Sequence, residues 1–264
     1  MSFVSEIDMG KYLLVERGSP ELFRGSKEAD ILFLGQDPTI VSPRHIPVVL
    51  DLNNSSGQLS KYIFGKICKT LSLSRRRVLA WNLVNRYFVK KPRDLADNLR
   101  VEPYLSDQYS QLNGNKNDWK TVRFLYHYFM EFGKEELEYV VSKYQPCILI
   151  SLGEPVFRVL RYAYALPQNI TIPENLADFC CDRIFEIKIG SNTLVWLALP
   201  HEPTGDRNPH YQKVLSEKLP VLASLNEIAL CDLQTLMHYN KNRNEGEYEF
   251  AATLATKYTH CRSG

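Results

Sequence analysis

Four short apolar runs stand out along the chain, and each is followed at once by glycine, proline, asparagine or histidine. They occupy residues 31–34, 78–84, 147–152 and 194–199. A short and nearly continuous apolar run is typical of a strand that is covered on both faces. A fifth run, residues 184–189, alternates in polarity and reaches the last strand through residues 190–192. This pattern predicts an antiparallel hairpin at one edge of a sheet.

Helical patterns separate the predicted strands. Residues 58–71 place Leu59, Tyr62, Ile63 and Ile67 on one face, and further helical segments span 119–132, 135–144 and 154–163. Alternation of strands and helices predicts an α/β fold with three layers (α/β/α) and a mostly parallel central sheet. We expect one domain over residues 1–238, ending in a helix, and a polar C-terminal tail over residues 239–264.

Composition narrows the class of protein. The 264 residues carry 32 Lys and Arg against 30 Asp and Glu, a net charge of +2, which excludes a histone-like protein but leaves room for a local basic face. No apolar run reaches the roughly 20 residues that span a bilayer, and the first residues lack a signal core. The six cysteines form no C-x-x-C pair. We expect a monomeric cytoplasmic protein with no membrane contact, no metal and no cofactor.

Polar residues follow the predicted strands at one end. Gln36 and Asp37 come directly after the first strand, Asn82 lies in the second and His201 follows the last. Ligands of open parallel sheets bind beyond the carboxyl ends of the strands, so an acid, an amide and an imidazole are expected to meet there. A buried asparagine must be hydrogen-bonded, and Asn82 therefore either anchors a loop or reads the edge of a ligand.

Four segments together resemble the uracil-DNA glycosylase superfamily. The sequence ILFLGQDP resembles the first catalytic motif, and LALPHEPTGDRNPHY resembles the second, which contains the histidine. VLAWN resembles the strand that ends in the pyrimidine-reading asparagine, and QPCILISLGEPVFRVL resembles the strand–glycine–helix unit before the second motif. The resemblance covers roughly residues 30–215, in the family's order.

The resemblance implies a monofunctional DNA glycosylase that hydrolyses the N-glycosidic bond of a flipped base. Asp37 would stabilise the positive charge on the sugar and orient the attacking water. His201 and the backbone amide near Gln36 would donate to the base as negative charge develops on it. Asn82 would bind the N3–O4 edge of uracil, or the N3–N4 edge of a cytosine if its amide were turned over.

The chain departs from the family pattern in three places. Thr39 stands where one branch has a tyrosine that excludes the thymine methyl group, and residues 46–52 contain no aromatic side chain to stack on the base. The leucine that fills the vacated position in DNA is missing, and Arg207 is the candidate replacement. A wider pocket suits a modified pyrimidine, so the resemblance allows either uracil repair or phage defence by excision of modified cytosine.

Basic residues cluster around the second predicted strand, which predicts a phosphate-binding rim for a DNA partner. The candidate DNA-binding residues are Arg75, Arg76, Arg77, Arg86, Lys90 and Arg207.

Two other functions stay open. The first is a catalytically reduced module with the same fold that binds DNA or a protein, which the missing aromatic residue favours. The second is a nucleotide-binding or nucleoside-hydrolysing α/β protein. The chain lacks the glycine-rich phosphate-binding motifs, which counts against the phosphate-cradling form of that second function.

Overall fold

The structure is a computed structural model that describes residues 12–14, 18–38, 48–71, 73–96, 116–165, 176 and 185–201, with the backbone alone at 116–120 and 165. The expected last helix and the C-terminal tail lie outside the described residues. Among the helices that are described, none is both long enough and apolar enough to cross a membrane.

Six strands form one mixed sheet in the order β1-β3-β2-β4-β6-β5. They are β1 (Phe23–Arg24), β2 (Ile31–Gly35), β3 (Val78–Asn82), β4 (Ile148–Leu152), β5 (Phe185–Ile189) and β6 (Asn192–Leu199). The four central strands run parallel, and the two edge strands pair antiparallel with their neighbours. The predicted α/β fold with a mostly parallel sheet is confirmed, and so is the edge hairpin, which turns at Gly190 with φ +59°.

In the described residues, five helical segments join or flank the strands. They are α1 (Gln58–Ser60, continued by the π-helical Lys61–Cys68), α2 (Pro92–Ala96), α3 (Lys116–Tyr128, continued by Phe129–Gly133), α4 (Lys134–Tyr144) and α5 (Glu154–Leu160, continued by Arg161–Ala165). Single turns of 3-10 helix occupy Val49–Asp51 and Arg75–Arg77. The strand predicted at residues 78–84 ends at Asn82, although Leu83 and Val84 still donate backbone hydrogen bonds to residues 35 and 36.

Apolar side chains cover both faces of the sheet because successive strand residues point in opposite directions. Ile31 and Phe33 pack with Tyr62, Ile63 and Ile67 of α1 on one face. On the other face, alternate strand residues pack against side chains of α3, α4 and α5. Burial on both faces explains why the central strands are continuous apolar runs rather than alternating ones.

The chain changes direction in the sheet after β2. From β2 it moves to β3 on one side and then crosses to β4 on the other side of β2. In doubly wound sheets, such a switch point opens a crevice outside the carboxyl ends of the strands. The described residues that follow β2 and β4 line a cavity at this place.

Candidate functional site

A cavity of about 210 Å³ lies at the carboxyl end of the sheet. Among the described residues, it is lined by Pro20, Gln36, Asp37, Pro38, Leu50, Asp51, Leu59, Asn82, Leu152, Gly153, Pro155 and His201. It is smaller than the pockets of about 300–1,000 Å³ that take drug-sized ligands. Its size suits one heterocyclic ring. The cavity is lined by four residues that were expected at the rim, namely the acid, the imidazole and two amides.

The environment of Asp37 in this cavity perturbs its pKa. Its carboxyl is mostly buried at the end of β2, and the Gln36 side-chain nitrogen donates a hydrogen bond to its Oδ1 at 2.6 Å. Burial raises the pKa of Asp37 from 3.8 to about 7, and the hydrogen bond from Gln36 opposes that rise. The carboxyl therefore changes charge near neutral pH, which is common for acids and bases at catalytic sites.

Asn82 presents an oriented acceptor at the end of β3. Its Nδ2 donates to Asn85 Oδ1 at 3.2 Å, and Asn85 Nδ2 donates to the Pro20 carbonyl at 2.9 Å. Because a carbonyl can only accept, this chain of bonds determines which way both amides face. Asn82 is 1 % exposed, and its Oδ1 has no partner among the described residues. A ligand that satisfies Oδ1 must offer a hydrogen-bond donor, and the N–H groups of uracil and cytosine are donors of this kind.

Gly35 allows this asparagine to lie against the strand. A Cβ at residue 35 would stand 2.8 Å from Asn82 Oδ1 and would also collide with the Leu50 side chain. Neither contact leaves room for a larger residue. The glycine before Gln36 is therefore needed for close approach to the cavity wall, not for a special backbone angle.

Leu50 and Asp51 form a wall of the cavity that sequence patterns did not predict. Both have positive φ, 58° and 51°, which is uncommon for residues with a side chain. Asp51 Oδ2 accepts a hydrogen bond from the Asn54 side chain at 3.0 Å. Strained backbone of this kind collects at ligand sites, but nothing in the local sequence signals it.

His201 enters the cavity directly after Pro200 at the end of β6. Gly153, with φ +91°, approaches it so closely that a Cβ there would stand 3.1 Å from the His201 Cβ. The Tyr62 hydroxyl donates to the Pro200 carbonyl at 2.6 Å. The end of β6 is thus held from both neighbouring segments, and the imidazole shares the cavity with Asp37.

The predicted basic rim is only partly assembled at the cavity. Arg75, Arg76 and Arg77 precede β3 and so lie at the amino end of the sheet, opposite the cavity, because the parallel strands all run toward it. Arg77 forms an ion pair with Asp30. Arg75 donates to the Leu52 carbonyl at 2.8 Å and lies 4.7 Å from the Phe64 ring centre. Binding of DNA by these three residues stays a prediction, but their expected place on the rim is not what the structure has.

Two of the remaining basic candidates follow β3 at the carboxyl end. Arg86 is engaged in an ion pair with Glu136 and donates to the Ser19 hydroxyl at 2.9 Å. Lys90 is exposed. Arg207 and Thr39 lie outside the described residues. Of the two described candidates that follow β3, Lys90 is therefore the more exposed.

A second and larger cavity, about 610 Å³, opens at the edge of the sheet between β3 and α4. Pro20 lines both cavities, and Arg86 and Glu136 line only this one. The Trp81 indole nitrogen and Glu136 Oε2 are buried without a partner among the described residues. The described residues that line this cavity include acids but no histidine, so we regard the smaller one as the candidate site.

Phe64 does not replace the missing stacking residue. Its ring packs 5.9 Å from the Phe23 ring, centre to centre, against the core beneath α1, and it does not line the cavity. Among the described residues, the cavity wall contains no Phe, Tyr or Trp side chain. Among all the described residues, no group of three or more His, Cys, Asp or Glu side chains is placed to hold a metal ion.

No protein-family model and no curated protein matches the chain.

Proposed function

We propose that the chain is a monofunctional DNA glycosylase with a three-layer fold of the uracil-DNA glycosylase type, acting on a flipped uracil or modified pyrimidine. The observation that carries the proposal is one cavity, at the switch point of the sheet, that contains Asp37, Asn82 and His201 together. The four motifs that resemble the superfamily supply these same residues. DNA is the proposed partner, and the proposed enzyme is a cytoplasmic monomer.

Hydrolysis of an N-glycosidic bond requires stabilisation of two opposite charges. Positive charge develops on the sugar, and negative charge develops on the departing base. In the proposed mechanism, the ionised Asp37 stabilises the sugar cation and orients the water that attacks the anomeric carbon. His201 donates to the base oxygen as negative charge accumulates there. Loss of one such preorganised donor typically costs about 2.7–4 kcal/mol of transition-state stabilisation.

Recognition of the base would rest on the oriented amide of Asn82. Its free Oδ1 accepts an N–H from the pyrimidine edge, and Pro20, Leu50 and Leu152 provide the apolar wall around the ring. Gln36 would hold the Asp37 carboxylate in place through its 2.6 Å hydrogen bond. Each residue thus has one defined task, and no lysine nucleophile is required.

An excision assay tests the proposal. Oligonucleotides that contain uracil, hypoxanthine, xanthine or a modified cytosine are incubated with the full chain, and alkali then cleaves any abasic sites. We expect strand breaks at a pyrimidine and a loss of about 10²–10³-fold in rate for Asp37→Asn or His201→Ala. The matched control is Asp94→Asn, because Asp94 is an exposed acid of α2 that does not line the cavity.

One alternative has an observation in its favour. Stacking on an aromatic ring is worth about 1–3 kcal/mol per base, and the described wall of the cavity has no Phe, Tyr or Trp ring for that role. The fold would then serve as a module that binds DNA without cleaving the base. Binding to the same oligonucleotides with no strand breaks on any of them would establish this alternative and refute the glycosylase.

A further inference from the structure

A buried tyrosine links helix α1 to the residue before the imidazole of the site. Tyr62 is 3 % exposed, and its hydroxyl donates to the Pro200 carbonyl at 2.6 Å across 138 residues of sequence. Proline has no backbone N–H, so this carbonyl is the only backbone group through which Pro200 can hydrogen-bond. The Tyr62 hydroxyl therefore occupies the one polar anchor that residue 200 can offer.

The opposite side of the same segment is held by the turn after β4. The Gly153 backbone nitrogen donates to the Leu199 carbonyl at 2.8 Å, and a Cβ at Gly153 would stand 3.1 Å from the His201 Cβ. Two successive carbonyls are thus bonded to two different segments immediately before His201. The backbone leading into the imidazole has little freedom to shift along either direction.

We propose that Tyr62 is a positioning residue that sets the place of His201 in the cavity, acting through the Pro200 carbonyl. The expected effect of Tyr62 on the excision rate rests on the proposed function. The expected effect of Tyr62 on the position of the His201 side chain does not. Tyr62 does not line the cavity and so does not touch the base. Because a misplacement of about 1 Å can cost a reaction 10²-fold, a bond outside the cavity is sufficient to change the rate.

Tyr62→Phe isolates the hydroxyl because the ring stays packed with Ile63 and Ile67 of α1. We expect the single-turnover excision rate to fall by about 10- to 100-fold, with the Kd for DNA changed by less than about twofold. The matched control is Tyr164→Phe, which removes another buried hydroxyl, bonded to Glu138 at 3.4 Å, in a residue that does not line the cavity. The control is expected to keep the wild-type rate.

A double-mutant cycle separates positioning from general packing. If Tyr62 acts through His201, Tyr62→Phe has no further effect on rate in a His201→Ala background. A merely structural residue would slow both backgrounds by the same factor. That additive result would overturn the proposal and leave the proposed function intact.

An independent readout does not need activity. In the full chain labelled at its six histidines, the His201 ring signal is assigned by its absence in His201→Gln. We expect Tyr62→Phe to move or broaden this signal and Tyr164→Phe to leave it in place. An unmoved His201 signal in Tyr62→Phe would overturn the inference even in an active enzyme. If the wild type excises no base, the proposed function fails, while a moved signal still supports the positioning role.

Discussion

Replacing Gln36 with leucine should shift the pH dependence of excision toward alkaline pH. The Gln36 side chain donates to Asp37 Oδ1 at 2.6 Å, and this bond favours the charged form of the carboxyl. In the wild type, the pKa of Asp37 stands at about 7 because burial outweighs that bond. Only the carboxylate stabilises a sugar cation, so we expect the wild-type rate to fall about tenfold for each pH unit below that midpoint.

The size of the shift follows from the strength of the lost bond. A hydrogen bond to a charged group contributes about 1.5–3 kcal/mol, and one pKa unit corresponds to about 1.4 kcal/mol. Gln36→Leu should therefore move the acid limb upward by about one to two pH units. At a pH well above the new midpoint, the rate of the variant should reach a plateau because Asp37 is then fully ionised. This plateau should lie below the wild-type rate because leucine no longer holds the carboxylate in place.

The assay is single-turnover excision from a labelled oligonucleotide, measured between pH 5 and 9. Gln58→Leu is the matched control, because Gln58 is an exposed glutamine at the start of α1 that does not line the cavity. It should leave the midpoint where it is. An unchanged midpoint in Gln36→Leu, or a wild-type rate that rises toward acid pH, would refute the assignment of Asp37 as the ionised catalytic group.

Three further predictions test stability, close packing and DNA binding. Protonation of Asp37 stabilises the fold, and this contribution is fully present below about pH 4 and is lost as the pH rises through about 7. Asp37→Asn should therefore be more stable than the wild type at pH 8, with a free energy of unfolding in urea that is higher by up to roughly 4 kcal/mol. Near pH 4 the variant should show no gain. Gly35→Ala should lower the free energy of unfolding by about 1–3 kcal/mol and abolish most of the activity, because its Cβ meets Leu50 and Asn82. Gly65→Ala has open space around its Cβ and should lower neither, so equal thermal shifts in the two variants would contradict this prediction. Lys90→Glu should lower DNA affinity and reduce the slope of log affinity against log salt by about one or more. Arg76→Glu, at the other end of the sheet, should change the affinity and the slope less. A larger effect of Arg76→Glu would place the DNA at the amino end of the sheet.

The central strands were predictable because burial on both faces leaves a continuous apolar run. The strands and helices missed from sequence are short. β1 has two residues, Phe23 and Arg24, too few to show a period, and α2 lies in a basic stretch whose charges obscured its helical pattern. The strand order depends on which distant segments pair, and that information is spread over the whole chain rather than in any local pattern.

The candidate site was predictable in part for a related reason. Asp37 and His201 follow strands, and Asn82 ends one, and the carboxyl ends of these parallel strands must lie at one end of the sheet, so their meeting could be inferred. The same rule, applied to Arg75–Arg77 before β3, would have placed that cluster at the opposite end of the sheet. The bonds from Asn85 to Pro20 and from Tyr62 to Pro200 join remote segments, and no spacing in the sequence announces them.

The order of the sheet has a consequence for how this protein can change. β3, β2, β4 and β6 are adjacent, and each contributes to the cavity wall through its last residue or the residues just after it. The paired apolar strands below the cavity therefore supply the stability of the fold, while the residues at and just after the strand ends line the candidate site. If the proposed function holds, variants with a different base selectivity can arise at those positions while the sheet stays intact.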